Sequence, residues 1–148
     1  MSAQLMDGKA LAAQKKAAIR AEVERLARTP GLAVVLVGEN PASQIYVRGK
    51  ARDCEECGIR CMDFRLPAQT TESELLTLIA ELNGRADVDG ILVQLPLPEG
   101  IRERRVLEAI APEKDVDAFH PENVGRLVQG QARYLPCTPA GVMELLRA

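Results

Sequence analysis

The chain has 148 residues, a net charge of −2, no tryptophan and only 3% aromatic residues, so a single domain with an aliphatic core is expected. The charge argues against a nucleic-acid surface, and the longest apolar run, residues 32–37, is far too short to span a membrane. Because residues 1–4 also lack the basic patch and apolar stretch of a signal peptide, we expect a cytoplasmic protein.

The N-terminal part of the chain predicts a helix over residues 8–28, with Asp7 as its cap. Four apolar residues recur roughly on one face of this helix: Ala12, Ile19, Val23 and Leu26. The Thr-Pro-Gly stretch 29–31 ends it. Residues 32–37 are continuously apolar and rich in β-branched side chains, which predicts a strand covered on both faces.

A second helix is predicted from its two ends. Asn40 is a suitable cap, Pro41 suits the first helical position, and Gly58 is a C-terminal stop after Cys57. Alternating side chains over 59–66 then predict a second strand, less buried than the first.

The remaining elements follow from caps and prolines. Thr71 and Glu74 form a capping box that opens a helix to residues 83–84. The next predicted elements are a strand over 89–95, stopped by Pro96 and Pro98, a helix over 101–110, a polar loop over 112–123, a turn of helix around 124–127, and a last helix started by Thr138 and Pro139. The alternation of strands and helices favours a three-layer α/β/α sandwich with a mostly parallel sheet.

Two predicted strand ends carry candidate functional residues. In open parallel sheets, ligands bind beyond the carboxyl ends of the strands. The first strand leads into the helix with Tyr46 and Lys50, which share a helix face, and the third strand delivers Gln94. If the two strands are neighbours, these residues open onto one cleft. On spacing alone, they are equally an ordinary aromatic, a solvated lysine and a hydrogen-bonded strand-end glutamine.

The loop over 112–123 holds the acidic candidates. A single aspartate such as Asp117 can accept two donors from an amino-pyrimidine edge. Asp115 and Asp117 together suggest Mg²⁺ or Ca²⁺, but no further ligands follow at loop spacing, so no metal is expected. His120, the only histidine, is a possible base, although a structural hydrogen bond is the more ordinary role for such a loop residue.

Four cysteines, Cys54, Cys57, Cys61 and Cys137, leave a redox or metal module open as a minor alternative. A reactive Cys-x-x-Cys pair normally lies at the start of a helix, where the helix dipole lowers the thiol pKa. Cys54 and Cys57 instead fall near the end of a predicted helix, so a structural role is favoured. No glycine-rich nucleotide fingerprint, P-loop or nucleophile elbow is present in the sequence.

Four segments together resemble the bifunctional methylenetetrahydrofolate dehydrogenase/methenyltetrahydrofolate cyclohydrolases. They are Val37-Gly38-x-x-Pro41-Ala42-Ser43-x-x-Tyr46-Val47-x-x-Lys50, the run 89–98, Pro112-x-Lys114-Asp115-Val116-Asp117, and Pro136-Cys137-Thr138-Pro139. Their order and spacing agree along nearly the whole chain. The resemblance implies the N-terminal, folate-binding catalytic domain of that family, with an amino-acid-dehydrogenase-like fold.

The resemblance also implies roles for individual residues. Lys50 would be the catalytic amine and Gln94 its hydrogen-bonding partner. Tyr46, Asp117, Leu95 and Pro96 would bind the folate, Tyr46 by stacking and Asp117 at the amino-pyrimidine edge of the pterin. Hydride transfer to NADP⁺ needs positioning above all, whereas the cyclohydrolase step needs a base for water, a role that a neutral lysine can fill.

Two residues depart from the family's pattern. Ala118 stands where the family usually has glycine, and if the loop needs a positive φ there, alanine costs on the order of 1 kcal/mol and shifts the carboxylate beside it. Arg52 replaces a lysine, but it lies two positions after Lys50 and is expected to face away.

The resemblance implies a longer parent protein. In the family a Rossmann-like NADP domain follows, and nothing in residues 1–148 matches it, so we expect a fragment or an isolated domain without dehydrogenase activity of its own. The parent is expected to be a homodimer through that domain, and the fragment a monomer. A folate-binding module without turnover is the alternative function.

Overall fold

The computed structural model of the chain describes residues 5–148; residues 1–4, on which the expectation of a cytoplasmic protein partly rests, lie outside it. The elements in chain order are α1 (Gly8–Val23), β1 (Gly31–Val37), α2 (Pro41–Cys57), β2 (Arg60–Leu66), α3 (Glu72–Gly84), β3 (Gly90–Val93), α4 (Glu103–Ala109), α5 (Pro121–Val128) and α6 (Cys137–Arg147). The described part of the chain is therefore an α/β fold, as the alternating pattern predicts.

The three strands form one parallel sheet in the order β2-β1-β3. Val35 pairs with Phe64 of β2 on one side and with Val93 of β3 on the other. The central strand β1 is almost completely buried, as its continuous apolar run predicts, whereas β2 is only partly buried. Since β1 and β3 are neighbours, their carboxyl ends lie side by side.

Each face of the sheet packs against helices. Alternate residues of β1, such as Ala33 and Val35, contribute to a core with Leu75 and Ile79 of α3 and Val106 of α4. The intervening residues of β1, Val34 and Leu36, form a second core with Val47 of α2 and Leu92 of β3. Helices thus cover both faces, which confirms the predicted three layers.

The predicted C-terminal end of α1 was wrong. The helix ends at Val23, not at Arg28, because later amide groups bond three residues back, as Leu26 does to Val23. None of its residues is buried, and Ile19 is 41% exposed. The amine of Lys16 bonds to Asp53 and Glu56 of α2, and no residue of α1 belongs to either of the two cores of the described chain.

Smaller differences concern the ends of later elements. Strand β3 stops at Val93 because only the amide of Gln94 continues the ladder, to the carbonyl of Val35 at 2.8 Å, before Pro96, which has no N–H. Helix α5 begins earlier than predicted, at Pro121. Helix α6 begins one residue before Thr138, which is therefore not its cap. None of the described helices is both long and apolar enough to cross a lipid bilayer.

Candidate functional site

Lys50 and Gln94 meet at the carboxyl edge of the sheet. Gln94 follows β3 directly, and Lys50 lies in the middle of α2, which Asn40 caps through its side chain at the end of β1. The Nζ of Lys50 donates a 2.9 Å hydrogen bond to Oε1 of Gln94. Gln94 is fixed in turn, because its Nε2 donates to the carbonyl of Leu95 at 2.8 Å. The amine is thus held by a neutral partner that adds no charge.

Tyr46 lies one helical turn before Lys50, on the same face. Its ring centroid is 5.8 Å from the Lys50 Nζ, within the range of a cation–π contact. The side chain of Tyr46 is 65% exposed. An exposed ring beside a held amine leaves one aromatic face available for a flat ligand.

Asp117 is the third predicted residue that the structure brings to this edge. Burial raises the pKa of its carboxyl group, while the nearby positive charge of Lys50 lowers it and the negative charge of Asp115 raises it. Asp117 therefore lies within electrostatic reach of Lys50. Among residues 5–148, no side chain or amide donates a hydrogen bond to its carboxylate, which leaves both oxygens available to donors of a ligand.

Ala118, next to Asp117, has a φ of 58° and is the one described non-glycine residue in the left-handed region. It is also only 1% exposed. The loop therefore has a positive φ at the position where the family usually has glycine, and alanine adopts this conformation at a cost in backbone strain.

The carboxylate of Asp115 is bound inside the protein and does not face the site beside Asp117. It is 1% exposed and accepts hydrogen bonds from the amide of His120 at 2.8 Å and from Nδ2 of Asn123 at 2.9 Å. His120 caps α5, since its Nδ1 accepts from the amide of Glu122. The structural role considered for His120 is therefore the one the structure shows, and Asp115 points into the protein. No group of three or more potential metal-binding side chains is found in residues 5–148.

Cys137 is a residue near the site that sequence reasoning missed. It is the first residue of α6, and burial of its thiol raises the pKa, with a further rise from Asp117 and an opposing effect of Lys50. The residue as a whole is nevertheless exposed, so the desolvation is local to the sulfur. Its motif was noted in the sequence, but only the fold shows that α6 starts beside Lys50 and Asp117.

The other cysteines have the properties of structural residues. Cys54 and Cys57 are buried in the last turn of α2. Burial raises the pKa of Cys54 to about 12 and also raises those of Cys57 and Cys61. A raised pKa suppresses the thiolate, which is the reactive form, so the sulfur chemistry required by a redox module is disfavoured.

The assembled site has one amine, one neutral amide, one acidic group and one aromatic ring, and this set suits a substrate that is flat, rich in hydrogen-bond donors and attacked by water. The sequence has no Gly-x-Gly-x-x-Gly fingerprint, and Gly38 after β1 leads into Asn40-Pro41, where Pro41 offers no amide to a phosphate.

Comparison with protein families matches residues 6–117 to the model of the tetrahydrofolate dehydrogenase/cyclohydrolase catalytic domain. The Bifunctional protein FolD of Nitratidesulfovibrio vulgaris (strain Miyazaki F) is 62% identical over 146 residues, which are 96% of this chain and 51% of that protein. The chain spans about half the length of the curated relatives it matches.

Solved structures agree with this similarity. The bifunctional FolD of Campylobacter jejuni is 51% identical, with a TM-score of 0.95 over 97% of this chain and 52% of that one. The Trypanosoma brucei enzyme, crystallised with NADP cofactor and an inhibitor, is 37% identical, with a TM-score of 0.92 over 99% of this chain and 52% of its own. An NAD-dependent dehydrogenase from Saccharomyces cerevisiae, at 22% identity and a TM-score of 0.82, shares the fold.

Proposed function

We propose, from the premise that the chain belongs to the tetrahydrofolate dehydrogenase/cyclohydrolase family, that residues 1–148 form the folate-binding catalytic domain of a bifunctional enzyme. The full enzyme would oxidise 5,10-methylenetetrahydrofolate to the 5,10-methenyl form and hydrolyse that cation to 10-formyltetrahydrofolate. The observation that carries the proposal is the 2.9 Å hydrogen bond between Lys50 and Gln94, beside the acidic group of Asp117.

Lys50 is the proposed base of the hydrolytic step. Water adds to the methenyl carbon, and the amine of Lys50 takes one of its protons when it is in its unprotonated form. The bond from that carbon to N5 then breaks, N5 receives a proton from Lys50, and the hydroxyl proton leaves as the formyl group forms. The cation and water thus give 10-formyltetrahydrofolate and one proton. Gln94 orients the amine through its Oε1 without changing the charge of the site.

The folate would be held by four side chains. Asp117 accepts two donors from the amino-pyrimidine edge of the pterin, since no group among residues 5–148 competes for its carboxylate oxygens. Tyr46 stacks on the ring system, and Leu95 and Pro96 line the cleft beside Gln94. The positive methenyl group then lies near Lys50 while the ring is held at a distance from it.

Hydride transfer needs a bound acceptor, and the proposed folate-binding residues are not assigned to binding it. We propose that NADP⁺ is bound by a Rossmann-like domain in the half of the relatives that the chain does not cover, in line with the NADP complex of the Trypanosoma brucei enzyme. In that step the residues described here would only position the folate.

We also propose that the full enzyme is a homodimer through that domain and that residues 1–148 alone are monomeric. The cytoplasmic location stays a prediction.

The test uses the purified chain. Isothermal titration with tetrahydrofolate measures binding, and the loss of methenyltetrahydrofolate absorbance measures hydrolysis. The proposal predicts saturable binding, weakened by Asp117→Asn, together with decay faster than in buffer. Binding without faster decay would favour a folate-binding module that lacks turnover, and neither binding nor decay would contradict the proposed site.

A further inference from the structure

Hydrogen bonds of Lys114 fix the N-terminal side of the loop that carries Asp117. The Nζ of Lys114 donates hydrogen bonds to three carbonyls at the end of α3, those of Leu82, Asn83 and Arg85, at 3.2, 2.7 and 2.8 Å. The carbonyl of Lys114 accepts from the amide of Ile91 in β3 at 2.7 Å. Residue 114 is therefore fixed to both α3 and the sheet.

Hydrogen bonds of Asn123 fix the C-terminal side of the loop, and Asn123 lies in α5 and is 0% exposed. Its Nδ2 donates to the carbonyl of Pro112 at 2.8 Å and to Oδ2 of Asp115 at 2.9 Å. The same oxygen of Asp115 accepts from the amide of His120. One amide group thus joins the start of the loop, its buried carboxylate and helix α5.

Asp117 lies within the turn that this network closes. The amide of Ala118 donates to the carbonyl of Asp115 at 3.2 Å, so residues 115–118 form a single turn. A displacement of Asp115 is transmitted to Asp117 across two peptide units. The carboxylate of Asp117 itself has no hydrogen-bonding partner among residues 5–148, and its place depends on the backbone that carries it.

Stability alone does not account for a polar network at this position. A buried carboxylate is costly to desolvate, and well-packed apolar side chains often stabilise a fold as well or better. The network also leaves Oδ1 of Asn123 buried without a partner in the described chain, which is a further cost. What the polar groups provide, and apolar groups do not, is a directional fix on the loop.

We propose that Asn123 is a positioning residue of the folate site: by holding Asp115 and Pro112 it sets where the Asp117 carboxylate meets the pterin. The inference rests on the proposed role of Asp117. Asn123 does not touch the substrate, because it is completely buried beneath the loop.

The experiment compares three variants with the unmodified chain. Asn123→Leu removes the donor and keeps the approximate volume. Asp115→Leu/Asn123→Leu also removes the buried carboxylate, which the single variant leaves with one donor fewer, and should therefore cost less stability. Leu75→Ala, in the core on the far side of the sheet, is the control for lost stability. Measurements are the dissociation constant of tetrahydrofolate and the rate of methenyltetrahydrofolate hydrolysis at saturation.

We expect the dissociation constant to rise about tenfold in both Asn123 variants, because a displaced carboxylate makes poorer charge-assisted hydrogen bonds to the pterin. The saturated rate should stay within about threefold, because Lys50 and Gln94 are unchanged. Leu75→Ala should leave the dissociation constant unchanged. Folding of the double variant with unaltered folate affinity would overturn the proposal.

A readout without folate separates this inference from the proposed function. If the unmodified chain does not bind tetrahydrofolate, the proposed function fails, and the positioning role is then tested by carbon-13 NMR titration of Asp117. Loosening of the loop in Asn123→Leu exposes Asp117 to water and should return its raised pKa towards the ordinary value. An unchanged pKa in that variant would show that Asn123 does not control the place of Asp117.

Discussion

Replacing Ala118 by glycine tests whether backbone strain or a buried methyl group dominates beside Asp117. At φ 58°, the left-handed conformation costs an alanine roughly 1–2 kcal/mol, and glycine removes that cost. Against this gain, the methyl group of a residue only 1% exposed contributes roughly 0.8 kcal/mol. The greater freedom of glycine in the unfolded chain costs about 0.4–1 kcal/mol more. The two sides nearly cancel, so Ala118→Gly should change the free energy of unfolding by less than about 0.5 kcal/mol.

Ala118→Val provides the contrast. A β-branched residue is strongly disfavoured in the left-handed region, and valine adds two methyl groups at a position that is only 1% exposed. We expect the free energy of unfolding to fall by at least about 2 kcal/mol. Urea unfolding of the three proteins, followed by circular dichroism, gives both values. The reasoning is refuted if Ala118→Gly is more stable than the original chain by over about 1 kcal/mol, since strain would then outweigh packing.

Three further perturbations have a defined sign. Asp117→Asn should stabilise the chain near pH 7 but not near pH 3. The raised pKa of the Asp117 carboxyl means that the folded state holds this proton more tightly than the unfolded state, so the folded state loses stability as the pH rises and the carboxyl ionises. Urea midpoints at the two pH values check this, and an equal change of midpoint at both would contradict it. Glu72→Gln should destabilise the chain most at neutral pH and least near pH 2. Hydrogen bonds from Arg102 lower the pKa of Glu72 to about 2, so the stabilisation by the ionised carboxylate is lost as the pH falls from about 4.5 to 2. Thermal unfolding measures the loss of stability, and a loss that is the same at all pH values would contradict this prediction. Lys114→Met should lower the free energy of unfolding by about 2 kcal/mol because three carbonyls lose a charged donor; a loss below about 0.5 kcal/mol in urea would show that water replaces it.

Local signals in the sequence were sufficient to predict α2 but not the contact between Lys50 and Gln94. Asn40, Pro41 and Gly58 act within one turn of the helix ends, and the observed bounds are the predicted ones. The contact between Lys50 and Gln94 needed one additional fact, that β1 and β3 are neighbours, because parallel strands with a shared edge bring their following residues together. The family resemblance supplied the chemical roles, which spacing alone left open.

Features that depend on distant parts of the chain were not predictable in this way. Nothing between Val23 and Thr29 breaks a helix, so the early end of α1 had no local signal. The sequence predicts only a polar loop over 112–123, yet Asp115 and Asn123 are buried, because Asn123 lies at the start of α5 and bonds to Asp115. Cys137 lies near Lys50 and Asp117 only because of where α6 begins.

The most direct test of the central claim is hydrolysis of methenyltetrahydrofolate by Lys50→Met. Arg52→Met is the matched control, since Arg52 lies on the same helix with its side chain 69% exposed. We predict that Lys50→Met still binds tetrahydrofolate but hydrolyses the methenyl cation no faster than buffer does, while Arg52→Met keeps the rate of the original chain. Equal rates in the Lys50→Met variant and the original chain would show that Lys50 is not the base.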